Sequence, residues 1–191
     1  TCYSVSYSSV YEIYVPRSYV PKQAVPLVIV GHGGNSTMSA AYARSTALSY
    51  INAYKAALGE TLGAVVVAPA TERGWSPIGD SLIFSTISKV SREYHIDPNR
   101  IFVVGQSMGG HLAWRSAMTF TDRWAGVSPQ SGGYTDYVTN HTIENIYGLP
   151  GYGTWGTTEP YGLTQTNQIL KAWLEANQFP WTMVQKAGGH E

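Results

Sequence analysis

Short apolar runs that alternate with helical stretches are the feature that most constrains the fold of this chain. The runs are rich in Val, Ile and Ala, are bounded by Gly or Pro, and span residues 11–15, 27–30, 64–68, 101–104, 124–127 and 181–184. Strands that are apolar throughout are typical of a parallel sheet covered on both faces. The stretches between them carry apolar residues at helical spacing, at residues 38–57, 83–94, 112–119 and 169–174. The sequence therefore predicts one α/β domain over residues 1–191, with a mostly parallel central sheet and helices on both faces.

The charge balance excludes some classes of binding partner for such a domain. Its 12 Lys and Arg equal its 12 Asp and Glu, so the formal net charge is zero. A neutral chain lacks the positive surface that binds nucleic acid or an anionic membrane. Its apolar runs are also far shorter than the roughly 18 residues of a membrane span. The sequence contains no CxxC, HExxH or Walker-type motif, and the single Cys2 cannot form an internal disulfide. We therefore expect no metal and no organic cofactor.

The turn after residues 101–104 carries the clearest chemical signal. It reads Gly105-Gln106-Ser107-Met108-Gly109-Gly110. A sharp strand-to-helix turn strains the serine backbone and lifts its hydroxyl above the sheet, and Gly105 and Gly109 remove side chains that would collide. The helix that follows directs its N-terminal N–H groups at the same place, which favours a developing oxyanion. The pattern predicts a nucleophilic Ser107 with the Met108 amide as one oxyanion donor. The alternative is a Gly-rich connection whose serine only caps the helix.

A second Gly-rich turn follows residues 27–30 and reads Gly31-His32-Gly33-Gly34-Asn35. Small residues let backbone N–H groups approach a substrate carbonyl closely. We assign the second oxyanion donor to the amide of Gly33 or Gly34. His32 lies inside the loop, where we expect it to hydrogen-bond the turn rather than to act as a base.

These motifs resemble those of the α/β-hydrolase superfamily and, within it, the carbohydrate-esterase-type and polyhydroxyalkanoate-depolymerase-like serine esterases. The resemblance is carried by residues 97–110, by the loop around His32, by Trp75 and Asp80, and by residues 124–133. It implies an α/β-hydrolase fold without a large lid. It also implies two-step acyl transfer by a Ser-His-acid triad acting on a small or polymeric carboxylic ester.

In this superfamily the triad follows the chain order Ser, acid, His. Three histidines follow Ser107, at positions 111, 141 and 190. His190 comes after the last predicted strand and matches the Gly-Gly-His-Glu ending of the family, so the resemblance predicts it as the base. We expect His111 to pack beside the nucleophile turn and His141 to be an exposed loop residue.

The acid is less clearly marked, because the H-G-x-x-D-x-x-V block is absent. The carboxylates between Ser107 and His190 are Asp122, Asp136, Glu144, Glu159 and Glu175. Glu159 follows residues 143–149, which we predict to be the seventh strand, and precedes the last helix, where the family has its acid in a Gly-Thr-x-Asp-like context. Glutamate in place of aspartate is a departure from that context. Glu159 is therefore the predicted acid, and Asp136 is the alternative.

The substrate class depends on the resemblance and on the small size of the segment that could form a lid. We expect an open site bordered by Trp75, Trp155 and Tyr161, whose rings could bind sugar, aryl or polyester groups. Two other functions stay open. One is peptide-bond cleavage by a prolyl-oligopeptidase-like enzyme, and the other is a non-catalytic binding protein that retains the fold.

Two further expectations concern the whole protein. Few lysines and two N-x-S/T sequons, at Asn35 and Asn140, suggest a secreted or periplasmic protein, which we expect to be a monomer. Family members continue with a helix after the base, whereas the sequence stops at Glu191. We expect either a trimmed fragment or an unusually free His190 loop.

Overall fold

The computed structural model describes residues 10–35, 37–75 and 78–190, so Cys2 and Glu191 lie outside the described residues. Its seven strands are β1 (Tyr11–Tyr14), β2 (Val25–Gly31), β3 (Val65–Pro69), β4 (Ile96–Gln106), β5 (Gly126–Gln130), β6 (Gly151–Gly156) and β7 (Trp181–Lys186). They form one sheet in the order β1-β3-β2-β4-β5-β6-β7. β1 runs antiparallel to β3, and the other described pairs are parallel. The predicted mostly parallel sheet is confirmed.

Within the described residues, five α-helices connect the strands. They are α1 (Ala40–Tyr54), α2 (Ile78–Glu93), α3 (Met108–Thr119), α4 (Asp136–Thr139) and α5 (Leu163–Ala176). Helix α1 begins where the Ser39 side chain accepts a hydrogen bond from the Tyr42 N–H, and it continues into a π-helical segment, Lys55–Thr61. Two 3₁₀ segments, Thr121–Arg123 and Thr142–Ile146, precede β5 and β6. Within the described ranges, we find no helix long and apolar enough to cross a membrane.

The core lies on both faces of the sheet. Along β2, Leu27 and Ile29 belong to one apolar cluster, and Val28 and Val30 belong to the other. This alternation follows from the two-residue period of a strand, which sends successive side chains to opposite faces. Helix α1 covers the Val28 face, whereas α2, α3 and α5 contribute to the cluster that contains Leu27. The near-continuous apolar runs thus reflect strands buried on both sides, as predicted.

The structure corrects two predicted strands and one residue of a predicted helix. Residues 143–149 do not form a strand, because Thr142–Ile146 is a 3₁₀ segment and the strand follows it as β6. β5 begins at Gly126 and runs to Gln130, whereas we predicted a strand over residues 124–127. On α5, Leu170 and Leu174 are buried, whereas Ile169, an apolar residue of the predicted helical stretch 169–174, is 47% exposed.

Gly151 of β6 has no side chain because a large ring from the neighbouring strand fills the space beside it. An added Cβ at Gly151 would overlap the indole of Trp181. That indole is 9% exposed and stacks on Trp114, with 4.6 Å between the ring centroids. The tryptophan pair therefore excludes a side chain at this position of the strand.

We expect Gly151→Ala to lower the free energy of unfolding by about 1–3 kcal/mol, because overpacking displaces a buried ring. Gly126→Ala is the matched control, since its added Cβ would meet the Phe102 ring at 3.3 Å, a tight contact without overlap. Urea denaturation of both variants checks the difference. Equal losses of stability would contradict this account of Gly151.

Candidate active site

The turn between β4 and α3 holds Ser107 in a strained conformation. Its φ is 58° and its ψ is −118°, a region that residues with a side chain rarely adopt. The Ser107 N–H donates to the Gln130 carbonyl of β5, over 2.9 Å. An added Cβ at Gly105 would overlap the Gly109 carbonyl, and one at Gly109 would overlap the Gly31 carbonyl. The expected steric reason for the two glycines is therefore confirmed.

His190 lies between Ser107 and Glu159. Its Nε2 is 2.7 Å from the Ser107 Oγ, and its Nδ1 is 2.6 Å from the Glu159 Oε2. A carboxylate can only accept, so Nδ1 carries the proton of the neutral ring, and Nε2 accepts the hydrogen bond of the serine hydroxyl. The structure thus brings together the three residues that we predicted as nucleophile, base and acid.

The carboxylate of Glu159 is completely buried, with 0% side-chain exposure, whereas the His190 side chain is 27% exposed. The Glu159 Oε1 accepts hydrogen bonds from the Ser131 hydroxyl, at 2.6 Å, and from the Gly156 N–H, at 2.7 Å. Together with His190, three donors therefore compensate for the desolvation of the carboxylate.

Ser131 is a site residue that sequence reasoning missed. It directly follows β5, is fully buried and has a positive φ of 49°. Its position in the sequence is the signal that could have identified it, because polar residues at the carboxyl ends of parallel strands gather at one edge of the sheet. The resemblance already included Ser131 in residues 124–133, but without a role.

Hydrogen bonds join the segment before His190 to the segment before Glu159. Thr157 N–H donates to the Lys186 carbonyl and Thr158 N–H to the Gly188 carbonyl, both over 2.9 Å. Gly188 N–H donates in turn to the Thr157 hydroxyl, at 3.2 Å. The expectation of an unusually free His190 loop is therefore wrong, because these bonds join it to the loop of the acid.

The second Gly-rich loop lies against the nucleophile. A Cβ added at Gly33 would stand 3.4 Å from the Ser107 Cβ. His32 is completely buried, its Nδ1–H donates to the Gly33 carbonyl at 2.7 Å, and its Nε2 accepts the Thr71 N–H at 3.1 Å. Burial lowers the pKa of His32, which favours this neutral form. The expected role of His32 within the turn is confirmed, and the amides of Gly33, Gly34 and Met108 remain the predicted oxyanion donors.

The other two candidate histidines have separate partners. His111 accepts a hydrogen bond from the Gly133 N–H on its Nδ1, at 2.9 Å, and stacks on Tyr134. His141 is exposed and lies 2.7 Å from Glu144. Both positions match the expected structural roles. Among the residues that the structure describes, no group of three or more His, Cys, Asp and Glu side chains is arranged to hold a metal ion.

The structure corrects two of the three aromatic residues expected to border the site. Trp75 is 4% exposed, and its indole N–H donates to the His32 carbonyl at 3.0 Å. Trp155 is 2% exposed and belongs to the core. Both residues are therefore buried rather than at the border of an open site. Tyr161 is 92% exposed, and its contact with a substrate stays a prediction.

Asp136, the alternative acid, opens the short helix α4, where its carbonyl accepts a hydrogen bond from the Asn140 N–H. The carboxylate that meets His190 Nδ1 is that of Glu159. The geometry therefore favours Glu159 over Asp136.

Comparison with known proteins agrees with this architecture. Residues 37–143 match a protein family described by its alpha/beta hydrolase fold. A poly(3-hydroxyalkanoate) depolymerase from Paucimonas lemoignei is 30% identical over 151 residues, which cover 69% of this chain and 34% of the depolymerase. The chain thus spans about a third of the length of that relative.

Solved structures show the same fold at low sequence identity. A thermostable esterase superposes with a TM-score of 0.74 at 21% identity, over 93% of this chain and 50% of its own. A feruloyl esterase module from Clostridium thermocellum, crystallised with sinapinate, has a TM-score of 0.70 at 15% identity, over 94% of this chain and 76% of its own.

We expect acid to destabilise the protein through His111. Burial and the nearby His190 lower the pKa of His111 from 6.5 to about 4. Between these values the unfolded chain binds a proton that the folded chain excludes, so the free energy of unfolding falls as the pH falls from 6.5 to about 4. Urea denaturation at several pH values measures this slope.

His111→Asn should flatten the slope, because an amide oxygen can accept the Gly133 N–H but cannot titrate. His141→Asn, at an exposed position, is the control and should keep the slope of the wild type. An unchanged slope in His111→Asn would show that other groups cause the acid sensitivity.

Proposed function

Because the chain belongs to the α/β-hydrolase fold family, we propose that it is a serine esterase that hydrolyses carboxylic esters through an acyl-enzyme on Ser107. The observation that carries the proposal is the pair of hydrogen bonds on His190, 2.7 Å to Ser107 and 2.6 Å to Glu159. A nucleophile, a base and an acid that orients the base are the minimum that this chemistry requires.

Acylation begins when the Ser107 Oγ attacks the ester carbonyl carbon and its proton moves to the His190 Nε2. The carbonyl oxygen becomes an oxyanion, which the Met108 N–H and an amide of the Gly33-Gly34 loop stabilise. The bond to the leaving alkoxide then breaks, and His190 donates its proton to that oxygen. Glu159 holds the Nδ1–H and stabilises the imidazolium without taking the proton.

Deacylation repeats these steps with water. His190 Nε2 takes a proton as the water oxygen attacks the acyl carbon, and the bond to the Ser107 Oγ breaks as that proton returns to the serine. The products are the carboxylic acid and the free enzyme. The positive end of α3 faces the oxyanion in both half-reactions, since the helix begins at Met108.

The substrate class that we propose is an uncharged ester of the acetyl-sugar, feruloyl or polyester type. Only 28 positions separate Ser131 from Glu159, which leaves no room for a large lid and suits a bulky or polymeric ester. The equal numbers of acidic and basic residues also fit an uncharged substrate. The similarity to a depolymerase and to a feruloyl esterase module supports the same class. Action outside the cytoplasm is part of this proposal.

We expect a fluorophosphonate probe to label the wild type but not Ser107→Ala, because only the activated hydroxyl attacks phosphorus. A panel of p-nitrophenyl acyl esters, feruloyl and acetyl sugars, short polyesters and peptide amides then identifies the substrate. Ser116→Ala is the control, since Ser116 is 1% exposed and is not a hydrogen-bond partner of His190. A folded wild type that is neither labelled nor active would refute the proposal in favour of a binding protein, and peptide cleavage alone would indicate a peptidase.

We expect Glu159→Gln to lower kcat by about 10⁴-fold, because an amide no longer enforces the productive tautomer of the base. Asp136→Asn makes the same chemical change at the alternative acid and should leave kcat near that of the wild type. Steady-state kinetics on the best ester of the panel compare the two variants. The reverse order of losses would transfer the role of acid to Asp136.

A further inference from the structure

Two tyrosines of α1 reach across to two glutamines at the carboxyl ends of neighbouring strands. The Tyr50 hydroxyl lies 2.5 Å from the Gln106 Oε1, and the Tyr54 hydroxyl lies 2.6 Å from the Gln130 Oε1. The tyrosines are one helical turn apart on the same face of α1, and the glutamines are register partners of β4 and β5. The two pairs have the same chemistry but different neighbours.

Of the two pairs, Tyr50 and Gln106 are the ones that lie against the Gly-rich loop of residues 31–35. A Cβ added at Gly33 would stand 2.8 Å from the Tyr50 hydroxyl, 3.0 Å from the Gln106 Oε1 and 3.4 Å from the Ser107 Cβ. Gly33 is therefore enclosed between the tyrosine, the residue before the nucleophile and the nucleophile itself. A side chain at this position would have to displace at least one of them.

Gly33 has one hydrogen-bond partner and one close neighbour. Its carbonyl accepts the Nδ1–H of His32 at 2.7 Å. The Tyr50 hydroxyl, which donates to the Gln106 Oε1, lies 2.8 Å from the position that a Gly33 Cβ would take. Burial raises the pKa of Tyr50, so its hydroxyl keeps its proton at neutral pH.

The next residue, Gly34, has a different environment. Its φ of +128° is one that residues with a side chain rarely adopt, and an added Cβ would overlap the Met38 Sδ. Side chains are therefore excluded at both glycines of the loop, so the backbone there can approach a substrate oxygen closely.

We propose that Tyr50, held by Gln106, is a positioning residue that fixes the Gly33 peptide beside Ser107, so that the Gly33-Gly34 loop presents an amide, with the Met108 N–H, to the oxyanion. This inference rests on the proposed esterase function and deepens it. It also gives a role to the residue between Gly105 and the nucleophile.

We expect Tyr50→Phe to lower kcat on a p-nitrophenyl ester by about 10- to 100-fold with little change in KM, since loss of a complete oxyanion donor costs about 10²–10³-fold. The affinity for a trifluoromethyl ketone, which forms a tetrahedral adduct, should fall by the same factor as kcat. Tyr54→Phe is the matched control, because it removes an equivalent hydroxyl from the same helix without touching Gly33. It should keep kcat while showing a similar change in Tm.

Gln106→Met provides a second test, because it removes the acceptor and keeps the Tyr50 hydroxyl. It should lower kcat in the same direction, also without a matching rise in KM. Equal kcat for Tyr50→Phe, Tyr54→Phe and the wild type would overturn the inference, as would a loss expressed in KM alone. A wild type without esterase activity or fluorophosphonate labelling would instead refute the proposed function, so the two failures are distinguishable.

Discussion

The close approach of three backbone segments at the end of β4 is the constraint on which the rest of the site depends. Gly31, Gly105 and Gly109 lie so near one another that an added Cβ at Gly105 or Gly109 would overlap a carbonyl oxygen. This packing holds Ser107 in a conformation that costs about 1–3 kcal/mol. The cost is tolerable because β2 and β4 pair side by side and are buried among apolar residues. A rigid sheet centre therefore supports the strained turn that exposes the hydroxyl.

A second strained serine links the nucleophile to the acid. Ser107 and Ser131 follow neighbouring strands, and both have a positive φ. Gln130, the last residue of β5, accepts the Ser107 N–H through its carbonyl. Ser131 then donates to Glu159 from the same corner of the sheet. The conformations of the two serines are thus coupled through one residue, so a shift of β5 would move the nucleophile and the donor to the acid together.

The parts of this molecule that could be predicted are those that local sequence determines. Branched apolar runs mark β2, β3 and β4, and the glycines around Ser107 indicate a sharp turn because no other residue fits there. β6 escaped prediction because it is rich in glycine, and Gly151 makes room for Trp181, a contact that sequence does not reveal. β5 extends through Pro129, a residue that cannot donate to a ladder and therefore argues against a strand. The prediction that Trp75 borders the site is wrong for a similar reason, since only the fold shows that its indole N–H donates to the His32 carbonyl.

Glutamate in place of the family's aspartate has a physical consequence for the acid. Its side chain has one more rotatable bond, so more contacts are needed to hold its carboxylate against one nitrogen of His190. The structure supplies them, because Ser131 and Gly156 both bind Oε1 and leave Oε2 for the histidine. With the carboxylate completely buried, its charge acts on the imidazole with little screening by water. The longer acid can therefore orient the base as well as a shorter one, provided that Ser131 stays in its strained conformation.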